Sequence, residues 1–128
     1  FDGIERVARE AVDRMLNFHM EHVGVNCANT AEAETCAKIC REAFSFETNE
    51  LPVSYFAGEG LEFMKDGGRG TNGHIAIRTN SVDRAVYHLA RRGIEVDMST
   101  AQYNDDGSMR FIYLKEEIGG FAYHLVRR

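Results

Sequence analysis

The stretch His22-Val23-Gly24-Val25-Asn26 returns later in the chain as His74-Ile75-Ala76-Ile77-Arg78. In each copy apolar side chains alternate with other residues, which is the period-two pattern of a half-buried strand. Each strand opens on a histidine and leads into an amphipathic helix. The repeat predicts two copies of one supersecondary module, whose matching residues converge on a shared site. Histidine is a common metal ligand, so His22 and His74 are candidates for that site.

The composition is that of an ordinary globular domain, with 44% hydrophobic and 27% charged residues among 128. A formal net charge of -5 argues against a surface for nucleic acids or anionic membranes, which would need a concentrated basic face. No apolar run approaches the roughly 18 residues of a membrane helix, and no signal-peptide pattern is present. We therefore predict a cytoplasmic protein without nucleic-acid or membrane partners. Its three cysteines, Cys27, Cys36 and Cys40, are predicted to be small buried side chains rather than disulfides or a zinc site.

An apolar stripe near the N-terminus predicts a helix over about residues 2–17, outside the repeat. The chain starts at Phe1, inside this pattern, which indicates a fragment or a processed chain. We assign residues 1–19 to an N-terminal helix and residues 20–128 to the repeated domain. The stripe consists of Ile4, Val7, Ala8, Ala11, Val12, Met15 and Leu16.

The first module, 20–66, is predicted to follow the order β-α-β-β-β. Asn29, with Glu32 three residues later, resembles a capping box and predicts a helix start after strand 22–26. Three short strands follow at 46–48, 53–56 and 61–64. The predicted inner face of the helix is Ala33, Cys36, Ala37, Cys40 and Phe44.

The second module, 72–128, repeats this order after a glycine-rich linker, Asp66–Gly73, which lacks the spacing of a phosphate-binding loop. Strand 74–78 leads to a helix that is predicted to be capped by Asn80 and ended by Gly93. Strands are predicted at 94–96, 110–114 and 121–126, with a turn at 104–107. The predicted inner face of the helix is Val82, Ala85, Val86, Leu89 and Ala90.

Superposing the last strands of the two modules pairs Glu62 with His124. Together with His22 and His74 they form a four-residue ligand set that suits zinc, nickel, cobalt, iron or manganese. The alternative is that each histidine is an ordinary strand residue with a satisfied hydrogen bond. His19 and His88 have no counterparts in the repeat, so we assign them to the surface or to the surroundings of the ligands.

Four further residues are predicted to bind a substrate at the same cavity. Asn26 and Arg78 share the strand faces of His22 and His74, and Arg78 has the geometry to clamp a carboxylate. A solvated surface role for Arg78 is equally compatible with the sequence. Tyr55 and Tyr113 complete the predicted lining.

The tandem order resembles the vicinal oxygen chelate superfamily over residues 20–128. Residues 73–77 look like its GHIA-type strand, and residues 117–125 look like its D-P-x-G-x-x-x-E-L ending, with His124 where glyoxalases place glutamate. The resemblance implies an α+β fold whose curved mixed sheet carries a metal that chelates two adjacent substrate oxygens. It implies catalytic roles for Glu62 and His124, but ligation and proton transfer by His124 exclude each other at any instant.

A narrower resemblance points to the C-terminal glyoxalase-like domain of bacterial bifunctional aldolases. It is carried by residues 22–29, 55–65, 72–77 and 118–126. Those lyases act on 4-hydroxy-2-oxoglutarate and 2-keto-3-deoxy-6-phosphogluconate. The resemblance implies an upstream aldolase domain and a small 2-oxo acid or related carbonyl compound as ligand. A non-catalytic metabolite-binding or regulatory module and an extradiol-dioxygenase-like enzyme stay open as alternatives, as does assembly into a homo-oligomer.

Overall fold

The computed structural model describes residues 2–127, so Phe1 and Arg128 lie outside the described residues. The elements are α1 (Asp2–Leu16), β1 (His19–Asn26), α2 (Thr30–Phe44), β2 (Thr48–Glu50), β3 (Ser54–Ala57), β4 (Leu61–Met64), β5 (Gly73–Thr79), α3 (Val82–Arg91), β6 (Val96–Tyr103), β7 (Met109–Leu114) and β8 (Phe121–Arg127). The strands form one mixed sheet in the order β2-β3-β4-β1-β5-β8-β7-β6. The first module runs outward from β1 through β4 and β3 to β2, and the second runs outward from β5 through β8 and β7 to β6. This equivalence confirms the α+β class and the repeated β-α-β-β-β order.

Several predicted boundaries are wrong by a few residues. α1 ends at Leu16 and β1 already begins at His19, so His19 belongs to the first strand and not to the N-terminal helix. β2 begins at Thr48, and Phe46, predicted to open this strand, instead packs against Phe44 at the end of α2 with ring centroids 5.5 Å apart. β6 begins at Val96 and continues to Tyr103, well beyond the predicted strand 94–96.

The described chain divides into two compact units. Unit 1 comprises residues 2–20, 77–116 and 124–127. The end of α1 is anchored in unit 1, because the Leu16 carbonyl accepts hydrogen bonds from Thr79 Oγ1 and Asn80 N. The start of α1 is exposed, with Ile4 at 70%, so the predicted apolar stripe is not buried along its length. The unit 1 core comprises Leu16, Val82, Ala85, Met109, Ile112 and Leu125, with Val86 and Leu89 packed against it, whereas Ala90 is exposed.

Unit 2 comprises Glu21–Ala76 and Glu117–Tyr123. Within it β1 runs parallel to β4, and β2, β3 and β4 form an antiparallel meander. Helix α2 covers one face, where Ala33 and Ala37 pack with Cys27, Ala57 and Phe63. Cys27 is buried as predicted, whereas Cys36 and Cys40 are half-buried, and all three thiols are free. Phe44 is 64% exposed, so its assignment to the inner face is wrong.

The helix caps test the sequence interpretation at single residues. Asn29 caps α2 as predicted, since its Oδ1 accepts a hydrogen bond from Glu32 N at 2.8 Å. Asn80 does not cap α3; Ser81 does, by accepting a hydrogen bond from Arg84 N. The Asn80 amide instead donates to the Met15 carbonyl. In the part of the chain from 2 to 127, no helix combines the length and apolar composition needed to cross a membrane.

Replacing Asn29 by alanine is expected to lower the free energy of unfolding by about 1 kcal/mol, because one amide at the start of α2 loses its acceptor. Urea unfolding followed by circular dichroism measures the change. Asn29→Asp keeps an acceptor oxygen and should stay close to the unmodified chain. An unchanged midpoint in the alanine variant would show that the cap contributes nothing.

Candidate metal centre

Three of the predicted ligands meet within unit 2. His22 lies on β1, Glu62 on β4 and His74 on β5. The parallel register that pairs Gly24 with Glu62 brings the carboxylate alongside β1. The Nε2 atoms of His22 and His74 are 3.2 Å apart, and Glu62 Oε1 lies 3.3 Å from the former and 3.1 Å from the latter. We call these three atoms the ligand triangle.

The dimensions of the ligand triangle fit a divalent metal ion. Ligand bonds of about 2.0–2.1 Å separate neighbouring ligand atoms by about 3.3–3.4 Å in a tetrahedron and by about 2.8–3.0 Å in an octahedron. The three observed separations, 3.1, 3.2 and 3.3 Å, lie between the octahedral and tetrahedral values. Two imidazole nitrogens and one carboxylate oxygen are also donor types that zinc, nickel, cobalt, iron and manganese accept. The residues present can therefore hold such an ion with little movement.

Gly24 allows the ring of His74 to reach this position. A Cβ built on Gly24 would lie 2.0 Å from His74 Cε1 and 2.3 Å from its Nδ1. Any residue other than glycine at position 24 would clash with the observed position of the His74 imidazole. A glycine in the middle of a strand is the sequence signal of such a close approach, but Gly24 is not among the predicted site residues.

Ser54 is a second contributor that sequence reasoning missed. Its hydroxyl donates a 2.7 Å hydrogen bond to Glu62 Oε2, and the residue is fully buried. Ser54 lies two residues before Phe56 on β3, so both side chains share the face of the ligand triangle. The ring of Phe56 packs edge-on against His22, with centroids 5.5 Å apart. Nothing in the local sequence marks either residue as part of a site.

The surroundings of Glu62 keep its carboxyl group ionised. Burial acting alone would raise the pKa of Glu62, but hydrogen bonds with His22, His74 and Ser54, together with the charge of His22, lower it well below its ordinary value. The ionised carboxylate thus contributes stability above the pKa it has in the unfolded chain, and this contribution is lost as pH falls through the folded-state pKa. At neutral pH Glu62 is the anionic form that a metal ligand requires.

His124, the fourth predicted ligand, lies in unit 1. It is buried, its ring stacks on Phe111 with centroids 4.3 Å apart, and it meets Tyr113 edge-on at 5.2 Å. His124 is paired with Tyr113 across β7 and β8, as Glu62 is paired with Phe56 across β3 and β4. The two residues therefore hold matching register positions in the two modules.

The four predicted substrate-binding residues have different surroundings. Tyr55 lies on the opposite face of β3 from Phe56, where it packs against the core beneath α2. Lys65 Nζ lies 4.9 Å from the centroid of its ring. The structure therefore does not bring Tyr55 to the ligand triangle. Asn26 donates from Nδ2 to the carbonyls of Gly68 and Gly70 and so holds the linker.

The other two predicted substrate-binding residues lie in unit 1. Tyr113 is the edge-on neighbour of His124, and Arg78 Nε donates to His19 Nε2. This contact places His19 in the surroundings of a predicted substrate-binding residue. His88 is half-buried on α3 and packs edge-on against Tyr87 with ring centroids 5.1 Å apart.

Comparison with known proteins establishes the fold. No protein-family profile and no curated protein matches the sequence. Methylmalonyl-CoA epimerase from Mycobacterium tuberculosis is 14% identical, with a TM-score of 0.64 over 88% of this chain and 89% of that one. A hypothetical protein from Bacillus halodurans C-125 is 15% identical, with a TM-score of 0.60 over 87% and 94%. A Streptomyces coelicolor methylmalonyl-CoA epimerase variant in complex with 2-nitronate-propionyl-CoA is 17% identical, with a TM-score of 0.57 over 85% and 93%.

These similarities place the chain among proteins with the vicinal oxygen chelate, or glyoxalase-like, fold. The fold expected from the sequence, including the added N-terminal helix, is confirmed. At 14–18% identity the comparison carries the fold alone, because one fold supports many reactions.

Proposed function

We propose that this chain binds one divalent metal ion at the ligand triangle and uses it to hold a small 2-oxo acid or a related carbonyl compound. The observation that carries the proposal is the convergence of His22 Nε2, Glu62 Oε1 and His74 Nε2 within 3.1–3.3 Å of one another. Three protein ligands leave coordination positions for two substrate oxygens. A 2-oxo acid offers adjacent carboxylate and ketone oxygens that suit such chelation.

His124 is proposed as the fourth functional residue. Support comes from its register position, which matches that of Glu62, and from its burial. As a ligand His124 would complete the metal site; as a base it would replace the glutamate that glyoxalases use there. An imidazole can serve either purpose near neutral pH, but not both at once.

Each of the proposed site residues is assigned a separate role toward the metal or the substrate. The metal, when bound, polarises the substrate carbonyl and stabilises negative charge on its oxygen. Glu62, ionised at neutral pH, would offset part of the charge of the metal and is the second proposed catalytic residue. Arg78 is proposed to pair with the substrate carboxylate, and Tyr113 and Asn26 to line the substrate. The polypeptide is proposed to continue upstream into a bacterial, cytoplasmic 2-oxo-acid aldolase, a lyase whose product class matches this ligand.

A second candidate is an extradiol-dioxygenase-like enzyme. Two imidazoles and one carboxylate with open positions form the facial set that non-haem iron oxygenases use. The ligand triangle has this composition. Ligation by His124 would reduce the room left for oxygen and substrate, so the role of His124 separates the two candidates.

Two measurements test the proposal: the metal content of the chain, and the reaction of the metal-loaded chain with a 2-oxo acid. The chain is stripped with chelator, dialysed against zinc, nickel, cobalt, manganese or iron(II), and assayed for bound metal. We expect one ion per chain, and deuterium exchange into pyruvate in heavy water by the loaded protein. Metal binding without deuterium exchange would support a non-catalytic regulatory module. Oxygen uptake with catechol would support the dioxygenase. Absence of stoichiometric metal would overturn the proposal.

The gene sequence upstream of residue 1 tests the proposed connection to an aldolase domain.

A further inference from the structure

The two carboxylate oxygens of Glu62 have different partners. Oε1 faces the Nε2 atoms of His22 and His74, whereas Oε2 accepts the hydrogen bond from Ser54 Oγ. We propose that Ser54 is a positioning residue that makes Glu62 a single-oxygen ligand, by holding Oε2 away from the metal while Oε1 binds it. This inference rests on the proposed function and specifies how its metal is held.

Burial keeps the two oxygens of Glu62 with their separate partners. Ser54 has no exposed surface and Glu62 has 9%. A buried carboxylate oxygen that lost its donor would have no water to replace it, so the charged oxygen keeps this hydrogen bond. The strand pairing fixes the geometry, because Ser54 faces Met64 and Phe56 faces Glu62 across β3 and β4. Ser54 therefore reaches Glu62 diagonally on the same face of the sheet.

The second module uses the same register position for the same purpose. Phe111 faces Val126 as Ser54 faces Met64, and the ring of Phe111 stacks on His124 with centroids 4.3 Å apart and planes 31° apart. A carboxylate needs a hydrogen-bond donor to fix its rotation, whereas an imidazole ring can be fixed by a flat neighbour. The residue types at the two positions match the side chains, Glu62 and His124, that they hold in place.

A single-oxygen carboxylate has a consequence for substrate binding. A carboxylate that binds through both oxygens occupies an additional coordination position. With Oε2 held by Ser54, that position would stay open for the second oxygen of a chelating 2-oxo acid. Ser54 thus preserves room for the ligand class proposed above without contacting the metal.

Cobalt(II) binding to Ser54→Ala tests the inference. The variant removes only the hydroxyl, and its metal-free thermal unfolding shows whether it folds. We expect cobalt affinity to fall by about 10–100-fold, as for other residues that orient metal ligands. The visible absorption band of bound cobalt should also weaken, because a second carboxylate oxygen raises the coordination number. Ser54→Thr retains the hydroxyl and should restore the band.

Ser99→Ala is the matched control, because Ser99 Oγ donates in the same way to the Asp97 carboxylate on β6. It should leave cobalt affinity and spectrum unchanged. Equal affinity and an equal spectrum in Ser54→Ala and the unmodified chain would overturn the inference while leaving the metal site intact. Failure of the unmodified chain to bind cobalt would overturn the proposed function itself and the inference with it.

Discussion

Glu62→Gln is expected to reduce divalent-metal affinity by at least about 100-fold, more than the 10–100-fold loss typical of residues that only orient ligands. The substitution keeps the size of the side chain and a carbonyl-type oxygen for Ser54, but it removes the negative charge that two imidazoles surround. An amide oxygen is a much weaker ligand for zinc-like ions than a carboxylate. Competition with a chromophoric chelator measures the affinity.

Glu50→Gln is the control for this experiment. Glu50 is also a carboxylate of unit 2 with a close partner, since Lys65 Nζ lies 2.7 Å from its Oε2, but that pair lies away from the ligand triangle. The control should bind metal like the unmodified chain. Unchanged metal affinity in Glu62→Gln, or an equal loss of affinity in both variants, would contradict the assignment of Glu62 as a ligand.

Gly24→Ala is expected to abolish tight metal binding, with an affinity loss of similar size, although residue 24 itself cannot bind a metal. The added methyl group would stand 2.0 Å from His74 Cε1, so the imidazole must leave the ligand triangle. Crowding of this kind also lowers the free energy of unfolding by about 1–3 kcal/mol. The backbone of Gly24 does not have positive φ, so the expected effect comes from the ring contact.

Gly60→Ala is the matched control in the same unit. A Cβ at Gly60 meets no atom within 4 Å, and its φ is likewise not positive. Chelator competition and urea unfolding on both variants separate metal loss from general destabilisation. Unchanged affinity in Gly24→Ala would mean that the His74 ring does not occupy the observed position.

Three of the four predicted ligands converge in unit 2, and this placement was predictable because the chain repeats itself. Strand alternation identified His22 and His74, and aligning the closing strands identified Glu62, all from spacing alone. β4 was predicted at its observed bounds, and Asn29 was predicted as the cap of α2. These features depend on residues that are neighbours in sequence or equivalent in the repeat.

Two of the errors arose where adjacent residues compete for one role. Asn80 and Ser81 can both cap a helix, and the observed cap is Ser81 because the Asn80 amide binds the Met15 carbonyl of α1. Tyr55 and Phe56 are both aromatic, but a step of one residue along a strand reverses the face, so Phe56 and not Tyr55 meets His22. Each choice depends on a partner distant in sequence.

The sequence by itself determined the tandem β-α-β-β-β order, the fold class and the residue types of the ligand triangle, because periodicity and repetition are properties of the chain. Only the tertiary structure decided which groups support those ligands. Ser54 reaches Glu62 because β3 pairs with β4. Gly24, which has no side chain, leaves space on β1 for the ring of His74 from β5. Such contacts depend on distances across strands, and a ring or a hydroxyl a few ångströms away leaves no pattern along the chain.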